Sequence, residues 1–193
     1  MLIGILLTGH APDAVRTERG DLDALFRDLL SGHGFDFRTW AVVDMDFPDG
    51  PEAADGWLIT GSKFGVYDDV AFIAPLEDLI RRIAADRKPL VGVCFGHQII
   101  TQALGGVVEK WGGGWSLGRT TYRFADGYLA AHAWHQDQVV EPAPGATVLA
   151  EAQGCPYAAL AYGDRIMTVQ PHPEFGRAEI EALIQARAGI VST

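Results

Sequence analysis

Leu90-Val91-Gly92-Val93-Cys94-Phe95-Gly96-His97-Gln98 is the stretch on which the fold turns. Leu90 to Val93 is a short apolar run of the kind that forms a buried strand, and Gly96 to Leu104 reads as a helix stopped by Gly105-Gly106. Between them stands a cysteine with a glycine two residues before it and another two residues after. A strand that turns sharply into a helix crowds its own backbone, so small residues at those positions let the chain turn while the side chain between them points outward. The helix N-terminus that follows favours a thiolate through its positive dipole end, and its free N–H groups can stabilise an oxyanion. Cys94 is therefore a candidate acyl-accepting nucleophile. On this window alone, a buried structural cysteine between two packing glycines is the competing reading.

Outward from that stretch, strands and helices alternate. Leu2 to Thr8, Phe35 to Val43 and Gly56 to Thr60 read as strands. Leu22, Leu25, Phe26, Leu29 and Leu30 recur at the spacing of one helix face, as do Phe72, Ile73, Leu76, Leu79, Ile80 and Ile83. Asp21 is placed to cap the first helix and Gly32 to end it, while Pro75 sets the second to become regular only near itself. The residues between Thr8 and Asp21 read as a polar stretch. Asp68-Asp69 reads as a helix cap, because side-chain oxygens there satisfy free backbone donors.

Past Val107 the pattern changes to short β-like runs near Arg119 to Phe124, Gly127 to Ala133, Thr147 to Ala150, Tyr157 to Tyr162 and Ile166 to Gln170. A last helix begins near Arg177 and carries Ile180, Leu183 and Ile184. The expected fold class is α/β: a central, mostly parallel sheet flanked by helices, with antiparallel additions. No repeat, low-complexity tract or linker interrupts it, so one domain over residues 1–193 is expected.

Composition narrows the functional classes. Of 193 residues 48% are apolar, enough for a sizeable core, and 25 acids against 15 bases give a formal charge of −10 that disfavours nucleic acid and anionic membranes. The N-terminal run Leu2 to Leu7 is short and lacks a basic leader, so it reads as a strand and not as a signal. No run approaches the roughly 20 apolar residues a membrane span needs. Two cysteines, Cys94 and Cys155, give little scope for a disulfide framework, which fits a reducing cytoplasm.

A thiol nucleophile needs a base, and the base needs an orienting acid. His172-Pro173-Glu174 offers both, directly after the apolar run Ile166 to Val169. Alone the triplet is a weak signal. Paired with the cysteine elbow it is specific. Together, Gly92-Val93-Cys94-Phe95-Gly96-His97-Gln98 and Gln170-Pro171-His172-Pro173-Glu174-Phe175 resemble the class I, triad-type glutamine amidotransferase family. Within it, the chain is similar to small stand-alone members related to the glutaminase domain of GMP synthase and to γ-glutamyl peptidases. Ile59-Thr60-Gly61-Ser62, Val66-Tyr67-Asp68-Asp69 and Trp134-His135-Gln136-Asp137 support the likeness.

The resemblance implies a flavodoxin-like amidotransferase fold, with Cys94 as nucleophile, His172 as general base and later acid, and Glu174 orienting the imidazole. It maps an oxyanion hole onto the backbone N–H groups of Ser62 and Phe95. Substrate-binding positions fall at Gly61, at Gln98 on the substrate's amino-acid end, and at Gln136 and Asp137, whose backbones would receive its α-carboxylate. The implied ligand is glutamine or a γ-glutamyl small molecule, with no cofactor and no metal. His132 and His135 lie three apart, but no further ligands complete a zinc pattern.

Two departures stand out. Ser62 occupies a position that is glycine in many relatives, and Pro171 one that is usually aromatic. The chain stops 19 residues after Glu174, where relatives often run on, so an uncovered apolar patch or a homodimer contact is expected. Three functional readings remain open: a glutaminase that passes ammonia to a separate synthetase subunit, a stand-alone γ-glutamyl hydrolase or peptidase, and a catalytically silent binding module of the same fold.

Overall fold

β1 (Leu2–Leu6) lies between β2 (Asp36–Trp40) and β3 (Gly56–Ile59), and β4 (Leu90–Val93) and β11 (Ile166–Val169) extend the sheet, every pairing among them parallel. The sheet then turns antiparallel through β10 (Cys155–Tyr162), β9 (Ala146–Ala152), β6 (Ser116–Phe124) and β7 (Gly127–His135), giving nine strands in the order β2-β1-β3-β4-β11-β10-β9-β6-β7. β5 (Val107–Lys110) and β8 (Asp137–Glu141) form a separate antiparallel pair. The computed structural model describes the chain through residue 191, and the side chains of all these residues except Ala14 and 187–191. The α/β architecture is the expected one.

Strand alternation sorts the core into two layers. On one face Leu6, Trp57, Ile59 and Leu90 pack against α3 (Ile73–Ala85) and α4 (Phe95–Ala103), whose contributions include Leu76, Ile80, Ile83, Ile99 and Ile100. On the other, Ile5, Leu58, Val93 and Cys94 cluster with Phe26 of α2 (Leu22–Leu29). Asp21 caps α2 by accepting from Leu22 N at 2.8 Å. Beside α2, an apolar hollow of about 270 Å³ opens on the sheet, where Val91, Leu129 and Met167 remain exposed. Among the described residues no helix is long and apolar enough to cross a membrane.

Several local expectations are corrected. The polar stretch before Asp21 contains α1 (Asp13–Arg19), which shows little apolar pattern because it packs through few side chains such as Val15. The second strand ends at Trp40, and Val42–Asp44 tightens into a 3₁₀ turn closed by Met45 at φ 66°. Asp68-Asp69 caps no helix: Asp68 accepts from Gly65 N at 2.8 Å within a turn, and α3 begins only at Ile73. α5 (Arg177–Val191) buries Leu183, covers Ile180 in part and leaves Ile184 half exposed, and Arg19 of α1 pairs with its buried Glu179 at 3.0 Å.

Candidate active site

The carboxyl ends of β3, β4 and β11 meet at one edge of the parallel half of the sheet, the region where open α/β sheets bind ligands. The register places Val93 opposite Val169, so Cys94 leaves β4 as Gln170 leaves β11, with Cys94 N donating to Val169 O at 2.9 Å. Two residues later His172 N donates to His132 O at 2.9 Å, tying this segment to β7. Neighbouring parallel strands thereby bring together a thiol and an imidazole from distant parts of the sequence.

Cys94 occupies φ 53°, ψ −104°, a strained conformation for a residue with a side chain. The flanking glycines are required by contact. A Cβ at Gly92 would stand 2.4 Å from the Gly96 carbonyl oxygen, and one at Gly96 would stand 2.4 Å from that of Ile59. Both glycines are therefore packing necessities of the elbow, in agreement with the spacing argument.

His172 is buried, and its Nδ1 lies 2.7 Å from Oε1 of Glu174, whose side chain is also buried. Phe175 stacks on the imidazole with centroids 4.0 Å apart and planes 3° apart. Burial disfavours the imidazolium, yet the Glu174 carboxylate, then the charge and hydrogen bonding of Cys94, outweigh it and raise the His172 pKa above its ordinary value. Glu174 Oε2 has no partner among the described residues, and the prolines on either side of His172 have no N–H to offer it. Gly61 approaches from β3: a Cβ there would lie 3.0 Å from His172 Cε1 and 3.7 Å from Cys94 Cβ.

Ser62 follows on the same loop. Its hydroxyl donates to Thr8 O at 2.7 Å and accepts from Phe64 N at 3.3 Å. The Thr8 hydroxyl in turn lies 3.0 Å from the carbonyl oxygens of both Thr60 and Gly61. Serine in place of glycine thus pins the loop after β3 to the end of β1. Phe95 N opens α4 beside Cys94, where the first helical amides have no intrahelical partner.

Two cavities flank this centre. The larger, about 500 Å³, is lined by Cys94, Phe95, Gln98, Trp115, Gln136 and Asp137 among others. The second, about 370 Å³, is lined by His172, Phe175 and Gly61, by Leu22 of α2, and by residues of α1 and α5. Ser62, Lys63, Trp134 and Ala186 border both.

A family model for class I glutamine amidotransferases matches residues 41–187. The chain belongs to the class I glutamine amidotransferase family. It is 29% identical to γ-glutamyl peptidase 3 of Arabidopsis thaliana over 180 residues, covering 84% of this chain and 72% of that one. It is 37% identical to the glutamine-hydrolyzing GMP synthase of Thermus thermophilus over 125 residues, but these are 61% of this chain and only 24% of the synthase. Its fold matches a glutamine amidotransferase from Methylobacillus flagellatus with a TM-score of 0.81 at 21% identity, over 97% of this chain and 75% of the other.

In this amidotransferase-family chain the remaining sequence-predicted positions gather at the larger cavity. Gln98 Nε2 donates to Asp137 O at 2.8 Å and to Gln170 Oε1 at 3.1 Å, so what Gln98 can offer a ligand is the acceptor Oε1. Gln136 pairs with Trp111, whose N donates to Gln136 O at 3.1 Å. The Asp137 carboxylate accepts from Tyr67 Oη at 3.0 Å, and its pKa is raised because burial outweighs that bond and Lys110.

Three of the other histidines are held by hydrogen bonds. His97 is fully buried, lies 2.8 Å from the Thr168 hydroxyl, and is pushed down to about 3 by burial and then by His135. His135 lines the larger cavity and is pushed down to about 4 by burial and then by His172, so both stay neutral near pH 7. His132 Nδ1 is 2.9 Å from Phe175 O, supporting the segment that stacks on His172. Among the described residues, no three His, Cys, Asp or Glu side chains cluster as a metal site requires. The sequence did not expose Lys63 and Tyr67 as cavity residues; the only signal for Lys63 was proximity to Gly61-Ser62, and that for Tyr67 its place in Val66-Tyr67-Asp68-Asp69.

Proposed function

We propose that the protein hydrolyses the γ-amide of glutamine or of a related γ-glutamyl compound, with Cys94 as nucleophile, His172 as base and acid, and Glu174 holding the imidazole. The carrying observation is a thiol on a strained strand-to-helix elbow beside an imidazole whose far nitrogen is 2.7 Å from a buried carboxylate. With Nδ1 committed to Glu174, Nε2 is the nitrogen that exchanges a proton with sulfur.

Cys94 attacks the γ-carbonyl as its thiol proton rests on His172, and the oxyanion is met by the amides of Ser62 and Phe95. Collapse transfers the proton from His172 to the departing nitrogen and leaves a γ-glutamyl thioester. Water then attacks, giving its proton to His172, and glutamate leaves as the sulfur departs. The acceptor Oε1 of Gln98 suits the substrate's α-ammonium, the loop at Gly61 stays small to admit the imidazole, and the backbone at Gln136 and Asp137 receives the α-carboxylate.

These steps call on no cofactor. Likeness to a GMP synthase supports ammonia delivery to a separate synthetase subunit, and likeness to γ-glutamyl peptidases supports a stand-alone hydrolase. The thiol-dependent chemistry is the same in both and suits a reducing cytoplasm. The silent-module reading is disfavoured, because the thiol and the imidazole are both present and the imidazole is 2.7 Å from the Glu174 carboxylate. Glutamate release from glutamine and from a panel of γ-glutamyl amides, with Cys94→Ala as control, tests the proposal. Release that persists in Cys94→Ala, or no release from any compound and no thioester on Cys94, would refute it.

A further inference from the structure

The cavities divide the reacting groups between them. Cys94 lines the larger one and not the smaller, whereas His172 lines the smaller and not the larger. An acyl group bonded to sulfur must lie on the sulfur's side. The nitrogen that leaves takes its proton from His172 and must depart on the imidazole's side. We propose, resting on the hydrolytic reading above, that the His172-side cavity is a leaving-group subsite for an amine that carries a carboxylate, an amino acid or short peptide, and that Lys63 reads that carboxylate.

Size is the first argument. Ammonia, like water, takes about 30 Å³, and a cavity of about 370 Å³ is far larger than that product needs. The walls are the second. Pro12, Leu22, Phe175 and Leu183 present apolar surface suited to a side chain. Charge is the third. His10 is held between Asp21 at 2.6 Å and Asp44 at 3.1 Å, and Arg16 is paired with Asp13 at 3.2 Å. Lys63, on the shared wall next to Ser62, makes no ion pair among the described residues, and its ammonium rests over the Phe64 ring at 5.1 Å from the centroid. It is the cation at this junction left to meet an incoming anion.

The test compares three substrates: glutamine, a γ-glutamyl amino acid, and the same compound with its leaving-group carboxylate capped as a carboxamide. The wild type is expected to prefer the free acid over the capped form in kcat/KM. Lys63→Met is expected to shrink that preference by about tenfold to hundredfold, the size of a lost hydrogen bond to a charged group, whatever it does to glutamine. Leu22→Trp, which fills the cavity from α2, is expected to lower kcat/KM for the γ-glutamyl amino acid relative to glutamine. No acid preference in the wild type, or an unchanged ratio in Lys63→Met, would overturn the assignment while leaving hydrolysis intact. Absence of Cys94-dependent cleavage of all three compounds would instead sink the hydrolytic reading itself.

Discussion

Gly61→Ala adds one methyl group to the loop that faces His172. The backbone accepts it, since the φ of Gly61 lies outside the left-handed region, so the effect comes from contact alone. The new Cβ would stand 3.0 Å from Cε1 of His172, while carbon atoms settle at about 3.5–4.0 Å, so the imidazole must retreat by about 0.5 Å. Retreat is resisted by Phe175 stacked at 4.0 Å and by Glu174 holding Nδ1 at 2.7 Å. A misplacement of about 1 Å costs about a hundredfold in rate, so half of that predicts a loss of about tenfold or more in kcat. The overpacking should cost about 1 kcal/mol, a fall of about 2–4 °C in Tm. Steady-state glutamate release and thermal unfolding on the same preparation separate the two effects. A variant that turns over at the wild-type rate would refute the idea that Gly61 is small in order to seat the imidazole.

Three further outcomes are expected. The His172 pKa is raised in the folded state, so its pairing with Glu174 stabilises fully below the ordinary value of 6.5 and is lost as pH climbs through the raised value; Tm should fall on the alkaline side, and Glu174→Gln should flatten that slope. Gly96→Ala drives a Cβ to 2.4 Å from the Ile59 carbonyl oxygen with no flexible atom to yield, and should lose about 3 kcal/mol, or about 6–12 °C in Tm, if it stays soluble at all. Cys155 is buried against Tyr122 and Ala158, which pushes its thiol up to about 12; iodoacetamide should alkylate Cys94 and spare Cys155, and Cys155→Ser should keep nearly full turnover, an expectation that a loss as large as that of Cys94→Ala would contradict.

The parallel half of the fold was legible because its signals are local. Leu90 to Val93, the glycines at 92 and 96, and the stripes of α2 and α3 each announce an element within a few residues. What escaped depends on distant partners. α1 has few buried apolar residues to reveal it, and β5 and β8 are short strands that pair only with each other across an intervening hairpin. The same holds at the site. Cys94 and His172-Pro173-Glu174 were candidates by residue type and spacing, and the structure sets them at the ends of the neighbouring strands β4 and β11, with His172 Nδ1 2.7 Å from Glu174. The division of space into two cavities could not be read, because it depends on where α1, α2 and α5 settle around the ends of the strands.

With Cys94 as the proposed nucleophile, its backbone at φ 53° and ψ −104° sets activity against durability. A residue held in such a conformation carries about 1–3 kcal/mol of strain in every folded molecule, occupied or empty, and glycine would relieve it. A chain with glycine at position 94 is then expected to be the more robust one. Selection for robustness alone would have discarded the cysteine, and its presence on so costly a turn speaks for a protein kept for its chemistry.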